Sequence, residues 1–479
     1  MHELTNAGNA RGQASAVLPD PTPDLLARYD RPGPRYTSYP TAVEFHDRVG
    51  EAEYIASLKR ANALPGEPLS LYVHLPFCEE RCAFCGCNVV ITKHRDVAEQ
   101  YLGYVEREID LLAAHLPDRR AVSQLHWGGG TPTYYGAGQL ERVFARLSRH
   151  FRFAPDAEIG VEADPRVTSP EQLDTLRRLG FNRLSMGVQD FAPEVQEAVN
   201  RIQSYESTKA LVDRARALGY RSINIDLIYG LPFQTIEGFS RTLEQVLTLR
   251  PERVAVYSFA FVPWMKAHMK HLAGDSLPGP DLKVALLGLA RRAFTGDGYR
   301  QIGMDHFAVP DDELARALER RVLHRNFMGY TVQSARDMVS LGVSAIGDIQ
   351  GTFVQNTKKL NEYYAALEEG RFPIERGYAL DRDDEIRRHV ITTLMCNGFL
   401  QIGDVERRYG IDFGQYFEPE INELTGPGSP QADGLIAVTR DALEVTPLGF
   451  MFVRNICMVF DRYLRARTAG STPVFSRTV

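Results

Sequence analysis

Four of the six cysteines fall between positions 78 and 87, in the segment HLPFCEERCAFCGC. Cys78, Cys82 and Cys85 follow a CxxxCxxC spacing, and Cys87 lies two residues further on. So many soft thiol ligands in so short a run read as a metal centre rather than as cross-links. Two centres suit them. Three thiolates can converge on a cuboidal iron–sulfur cluster and leave its fourth iron open to a small molecule. Four thiolates could instead close a tetrahedral zinc site, although Gly86 alone separates Cys85 from Cys87, an awkward bite for one ion. Cys396 and Cys457 stand in apolar helical contexts and read as small buried hydrophobes.

The rest of the chain must position that centre. Its 479 residues leave room for two or three domains. With 44% hydrophobic and 24% charged residues, wholesale disorder, collagen-like repetition and coiled coil are excluded. A net charge of −6 gives no global attraction to nucleic acid or anionic lipid. No run approaches the roughly 18 consecutive apolar residues of a membrane-spanning helix, and VALLGLA (284–290) soon meets Arg291 and Arg292. The opening MHELTNAGNARGQASAV lacks the apolar core of a secretory signal, so a cytoplasmic protein with a loose polar leader over residues 1–30 is expected.

Six β-rich runs alternate with helical segments: LSLYVHLP (69–76), VSQLHWGG (122–129), AEIGVEADP (157–165), RLSMGVQD (183–190), SINIDLIYG (222–230) and RVAVYSFAF (253–261). Tyr101, Val105, Ile109 and Leu112 share one face of the first intervening helix, and Gly180 and Gly219 offer left-handed C-caps to later ones. Several runs are apolar on both faces, as parallel strands covered by helices should be. The expected class is α/β: a partial (β/α)6 barrel with flanking elements over 31–375, then a smaller, mostly helical domain over 376–479. Reactive groups of such barrels lie at the C-terminal strand ends. The cysteines, GGGTPT (128–133), Glu162, Gln189, Asp226 and Ala260 all fall there.

The CxxxCxxC loop after a first strand, followed by GGGTPT, resembles the radical S-adenosylmethionine (SAM) superfamily. Within it YVHLPFCEERCAFCGCN, LHWGGGTPT, EADP, RLSMGVQDF, NIDLIYGLP, IGMDHFA, LHRNFMGYT and NICMVFDRYLR resemble, in that order, the oxygen-independent coproporphyrinogen III oxidases. The likeness runs from RYTSYPT (35–41) to the C-terminus. It implies a 4Fe–4S cluster on Cys78, Cys82 and Cys85, with Cys87 not a ligand, and two molecules of SAM. Tyr72, Phe84, Gly129, Glu162 and Ile346 match contacts of the first SAM. Gln189, Arg201 and Asp226 match the second, with Gly130, Thr131 and Ala260 at its border. Arg201 would hold a carboxylate through a two-pronged contact. Phe84 reads equally as an adenine contact or as a packed aromatic, and Glu162 as a partner of ribose hydroxyls or an ammonium, or as a strand-end ion pair. One departure is Phe261, where the family commonly has histidine.

The resemblance further implies an oxidoreductase that turns two propionates of coproporphyrinogen III into vinyls, giving protoporphyrinogen IX in haem biosynthesis. It implies an electron donor, an electron acceptor and a monomer, with no nucleic-acid or membrane partner. A haem-binding chaperone of the same superfamily is the alternative; its residues after the third cysteine usually read aspartate then an aromatic, against Gly86 and Cys87 here. Four propionates call for cations, and Arg31, Arg35, Arg320, Arg321, His324 and Arg325 are the candidates. His74 is expected to brace the cluster loop by hydrogen bonding, and His306 to be architectural.

Overall fold

The computed structural model describes residues 21–467 and 474–478, apart from 273, 275, 333 and 334. Each expected strand run forms a parallel strand: β1 (Leu69–Leu75), β2 (Ala121–Gly129), β3 (Arg152–Ala163), β4 (Arg183–Gln189), β5 (Ser222–Tyr229) and β6 (Arg253–Ser258). They pair in chain order. Helices α1 (Arg95–His115), α2 (Ala137–His150), α3 (Pro170–Arg178), α4 (Tyr205–Ala217) and α5 (Ile236–Leu249) make the crossovers, and α6 (Pro280–Gly296) follows β6. Local chemistry sets their limits. Ser169 and Gln172 cap α3 reciprocally, and Gly180 and Gly219 take positive φ just past α3 and α4.

The region after the sixth strand has no legible period, yet it extends the same sheet by β7 (Arg300–Ile302), β8 (His306–Ala308), β9 (Asp337–Leu341), β10 (Ile346–Ile349), β11 (Thr352–Asn356) and β12 (Ile374–Ala379). The order is β12-β11-β10-β9-β1-β2-β3-β4-β5-β6-β8-β7. β9 runs parallel to β1; the other additions are antiparallel. All but the last of these added strands have five residues or fewer, too short to carry a periodic signature.

The curved sheet encloses a polar lumen, and here one expectation needs correction. In β5 the inner positions are Ser222, Asn224 and Asp226, whereas Ile223, Ile225 and Leu227 are fully buried against the helices. These strands are apolar on one face only, because their inner face lines a cavity rather than a packed core.

The C-terminal region contains α7 (Arg382–Asn397) and α8 (Val453–Val459), further short helices and a three-stranded sheet of Phe399–Gln401, Ile436–Val438 and Ala442–Val445. Ile386, Leu394, Phe413, Leu443 and Ile456 build a core of its own, which Tyr29, Tyr36 and Tyr39 also enter. Of the segment expected as a loose leader, residues 1–20 lie outside the described residues, and Pro23–Tyr29 form a helix capped by Thr22. Arg454 stitches the first and last described segments together, donating to Pro34 O (3.0 Å), Thr478 O (3.3 Å) and Gly33 O. Among the described residues no helix is long and apolar enough to cross a membrane.

A buried ion pair ties the segment leading into β2 to the start of β9. Arg119 Nη1 lies 2.5 Å from Asp337 Oδ2, and both side chains have no exposed surface. Arg119 also donates to Ala61 O, Glu67 O and Pro68 O. Asp337→Ala leaves that buried guanidinium only the distant Glu67 carboxylate, 3.9 Å away, as counter-charge, and should cost about 3–5 kcal/mol. The exposed Arg407–Asp404 pair should cost less than about 1 kcal/mol when Arg407 becomes Ala. Denaturant unfolding of both variants checks the contrast.

Candidate active site

The cysteine loop leaves β1 and is tied down on several sides. Phe77–Cys78 pairs with Val90–Ile91. Ala83 N donates to Val199 O (2.9 Å), Asn200 Nδ2 to Arg81 O (3.0 Å) and Lys266 Nζ to Cys87 O (3.2 Å), and His268 Nε2 lies 2.9 Å from Cys85 O. Cys78, Cys82, Cys85 and Cys87 all line one cavity with about 730 Å³ of atom-free space. Cys78 Sγ lies 3.3 Å from Thr131 Oγ1. Burial pushes the Cys78 thiol up to about 11, whereas a hydrogen bond from Cys87 holds Cys85 below the usual thiol range. Among the described residues no three His, Cys, Asp or Glu side chains are gathered around a single-ion position. A cuboidal cluster needs no such convergence, because each thiolate meets a different iron.

Sequence reasoning missed the charge network behind Cys82. Asp164, just past β3, lies 2.7 Å from Arg166 Nη2 and 3.1 Å from Arg201 Nη1. The same two atoms lie 3.6 and 3.5 Å from Cys82 Sγ. Burial opposes the Asp164 charge, but the two guanidiniums outweigh it and hold the carboxyl below its usual range. Arg201 also donates to Gly187 O (2.5 Å), so much of its fork is engaged within the protein. The only sequence trace is DPR, an acid and a base two residues apart beyond a strand end.

The glycine turn after β2 is shaped by close approach. A Cβ on Gly128 would meet Glu162 Oε1 at 2.8 Å, and one on Gly130 would meet Pro76 O at 2.5 Å. On Gly129, whose φ is +115°, it would meet the His74 ring at 2.6 Å. Gly129 N donates to Glu162 Oε2 (3.2 Å), and His126 Nε2 lies 3.3 Å from Glu162 Oε1. Burial opposes the Glu162 charge, but these bonds and the His126 charge hold the carboxyl below its usual range. Gln189 ends β4 at φ +69° with a buried, unpartnered Oε1.

Glu162, Gly129, Gly130, Thr131, Phe84, Gln189 and Arg201 therefore share the cysteine cavity. Phe84 also packs on the apolar cluster of Val199, Leu231 and Phe259, as does Phe261. Asp226 instead lines the lumen below, about 770 Å³ of atom-free space that meets the first cavity at Glu162 and Ser185. Tyr72, Ala260 and Ile346 line neither space. Tyr72 stacks on His126 (6.2 Å between centroids) with its hydroxyl 3.1 Å from His74 Nδ1. His74 Nε2 meets Asn88 O at 3.0 Å, and burial pushes its pKa down. Ala260 follows β6, and Ile346 O accepts from Ser340 Oγ (2.5 Å). His306 pairs with Asp305 (2.6 Å) between the rings of Tyr257 and Tyr330. Cys396 and Cys457 are buried.

Of the cation candidates, Arg31, Arg320, Arg321 and His324 are exposed. Arg35 and Arg325 come together: Arg35 Nη2 donates to Ser258 O (2.8 Å) and Arg325 Nη1 to Arg35 O (2.5 Å). Arg325 Nε is buried without a partner.

The oxygen-independent coproporphyrinogen III oxidase of Pseudomonas aeruginosa is 46% identical to this chain over 446 residues, 92% of this chain and 95% of that protein. The chain belongs to the oxygen-independent coproporphyrinogen III oxidase family. The family's Escherichia coli member is 47% identical over 95% of this chain and 98% of its own length. A solved structure of coproporphyrinogen III oxidase from E. coli, described as a radical SAM enzyme, superimposes with a TM-score of 0.87, covering 93% of this chain and 99% of that one. The model of the radical SAM superfamily matches residues 72–246, and that of the HemN C-terminal domain residues 380–452. Membership implies a 4Fe–4S cluster and SAM.

The lumen carries a pH signature. Burial pushes the Asp226 carboxyl from 3.8 up to about 6, the Glu162 charge adding, against hydrogen bonds from Asn224 Nδ2 (2.8 Å) and Ser185 Oγ (3.2 Å). A raised folded value means that the folded state holds the proton more tightly. Stability from this group is therefore full below about pH 4 and is lost as pH rises through about 6. Asp226→Asn stays neutral throughout, so its thermal midpoint should gain on that of the native sequence across this window; the two apoproteins melted in parallel buffers give the comparison.

Proposed function

We propose that this chain oxidatively decarboxylates two propionates of coproporphyrinogen III to vinyls without molecular oxygen, giving protoporphyrinogen IX. The carrying observation is family-level identity over nearly the whole chain, with the cysteine loop, glycine turn and Glu162 around one cavity. When bound, the reduced cluster supplies the electron that splits SAM into methionine and a 5′-deoxyadenosyl radical. Each propionate then loses a β-hydrogen atom, carbon dioxide and one electron, and the electron leaves to an acceptor.

The chain's own work is positioning. We assign Cys78, Cys82 and Cys85 as cluster ligands; Arg166 and Arg201, beside Cys82, would lower the cost of its negative charge. Gly128, Gly129 and Gly130 keep the turn free of side chains near the methionyl end of the first SAM. Glu162, held ionised, would accept from its hydroxyls or ammonium, and Phe84 would cover its adenine. Tyr72 and Ile346 would act from behind, Tyr72 by setting the His74 and His126 rings. Gln189, with an acceptor to spare, and Asp226 would face a second SAM, bordered by Gly130, Thr131 and Ala260. Arg201 would offer that molecule a carboxylate contact with what its fork has left. Residues 31–375 would form the catalytic unit and 376–479 the smaller one, in a cytoplasmic monomer.

Anaerobically reconstituted protein given SAM, a reductant and coproporphyrinogen III should release carbon dioxide and 5′-deoxyadenosine in equal amounts, two of each per porphyrinogen; absence of both from cluster-loaded protein would refute the reading. Cys78→Ser, Cys82→Ser and Cys85→Ser should each lose bound iron, sulfide and turnover, whereas Cys87→Ser keeps the cluster. Iron and sulfide analysis decides the ligand set.

A further inference from the structure

Gln189 ends β4 in a conformation that a glutamine rarely adopts. Its φ is +69°, and Asp190 N donates to Val188 O across it at 2.9 Å. A bond between residues two apart around a positive φ is the rare and strained hand of the γ-turn. The ladder skips a residue at the same point: Gly187 pairs with Asp226 and Gln189 with Leu227, so two steps of β4 match one of β5. Bulges of this kind re-aim a side chain, and between parallel strands they are uncommon. Such strain persists only where the surroundings over-determine it.

The next residue does the holding. Asp190 is 2% exposed, and its carboxylate accepts from Ala192 N (2.8 Å), Thr242 Oγ1 (2.6 Å) and Gln234 Nε2 (2.7 Å). Thr242 belongs to α5, and the Gln234 amide is fixed in turn by Gly230 N and Leu231 N at its own oxygen. The anchor is therefore the following βα unit. The carbonyls around the turn are held as well: Gln203 Nε2 donates to Val188 O (3.0 Å), Gln196 Nε2 to Asp190 O (2.9 Å) and Arg201 Nη2 to Gly187 O (2.5 Å). What this lattice fixes is the place of one amide. A Cβ on Gly187 would meet Gln189 Nε2 at 2.7 Å and Arg201 Nη2 at 3.1 Å, so amide and guanidinium lie over the same bare stretch of backbone. Both line the cysteine cavity, and Gln189 Oε1 has no partner. Without the bulge Gln189 would stand level with Ile228, one residue or about 3.3 Å further along the strand. Asp190 itself does not line the cavity.

We propose that Asp190 is a positioning residue for ligand binding in the cysteine cavity: by locking the γ-turn it sets the Gln189 amide where that amide meets SAM. The proposal rests on the assignment of Gln189 to SAM above, and the test separates the two. Asp190 acts through Gln189, so the two residues form one functional unit although only one of them reaches the ligand.

Equilibrium dialysis of labelled SAM against the cluster-loaded full chain provides the test. Gln189→Ala should raise the dissociation constant about tenfold, the scale of one lost hydrogen bond to a strongly polar ligand. Asp190→Ala should raise it as much, and the double variant should lose no more than either change alone. Asp190→Asn keeps an acceptor for Ala192 N and Thr242 but turns an N–H towards Gln234, so its affinity should fall between. In the cluster-free protein, without SAM, amides of residues 188–192 should exchange hydrogen faster in Asp190→Asn than in the native sequence. Native affinity in both Asp190 variants, or unchanged exchange, overturns the proposal. So does a double variant whose loss is the product of the two single losses, because Asp190 then acts apart from Gln189. Native affinity in Gln189→Ala overturns it by removing Gln189 from the SAM contacts. No SAM bound by the native sequence sinks the assignment above, and the proposal with it.

Discussion

Asp164 sits at the end of β3 with Arg166 and Arg201 on its carboxylate, and both guanidiniums reach Cys82 Sγ. A short loop that gathers its thiols around one cavity has little core of its own, so its shape has to be imposed from the barrel rim. The triad does this with charge. Two cations held by one anion fix the position of the sulfur from two sides. The anion also keeps the cations from repelling each other. Thr131 beside Cys78, and the bonds from Lys266 and His268 to loop carbonyls, act on the other side. The shape of the cysteine cavity is therefore a property of β2, β3 and β4 as much as of the cysteine segment.

The same rim carries groups that fold at a cost. Gln189 holds a positive φ and an unpartnered acceptor, and Glu158 Oε2, Ser222 Oγ and Asn224 Oδ1 are unpartnered around the lumen. Polar atoms left so cost free energy unless something else meets them. Their concentration along the inner face of β3, β4 and β5 is what a cavity meant for a polar guest requires. The outer faces, Ile223, Ile225 and Leu227 among them, supply the packing that offsets it.

What was legible in the sequence follows from range. Strands of six residues or more with helical crossovers announce themselves through local pattern, and the cysteine spacing and the glycine turn are local chemistry. The short strands between Arg300 and Ala379 owe their existence to the edges they pair with, so no window of sequence contains the reason for them. Asp164 and Arg166 likewise acquire a role only when β3 brings them beside a loop some eighty residues earlier. The polar inner positions, Ser185 and Gly187 of β4 among them, declare their side only once the pleat turns Leu184, Met186 and Val188 outward into the core.

Arg454 gives the fold a chronology. Its guanidinium collects carbonyls from Gly33 and Pro34 on one side and Thr478 on the other, while Gly33 N bonds Ser476 O and Thr478 N bonds Arg31 O. This seam joins segments more than four hundred residues apart in the chain. A ribosome must have delivered residue 478 before Arg31 O finds its partner. The barrel strands can assemble on the nascent chain, but the strap across them is fastened last.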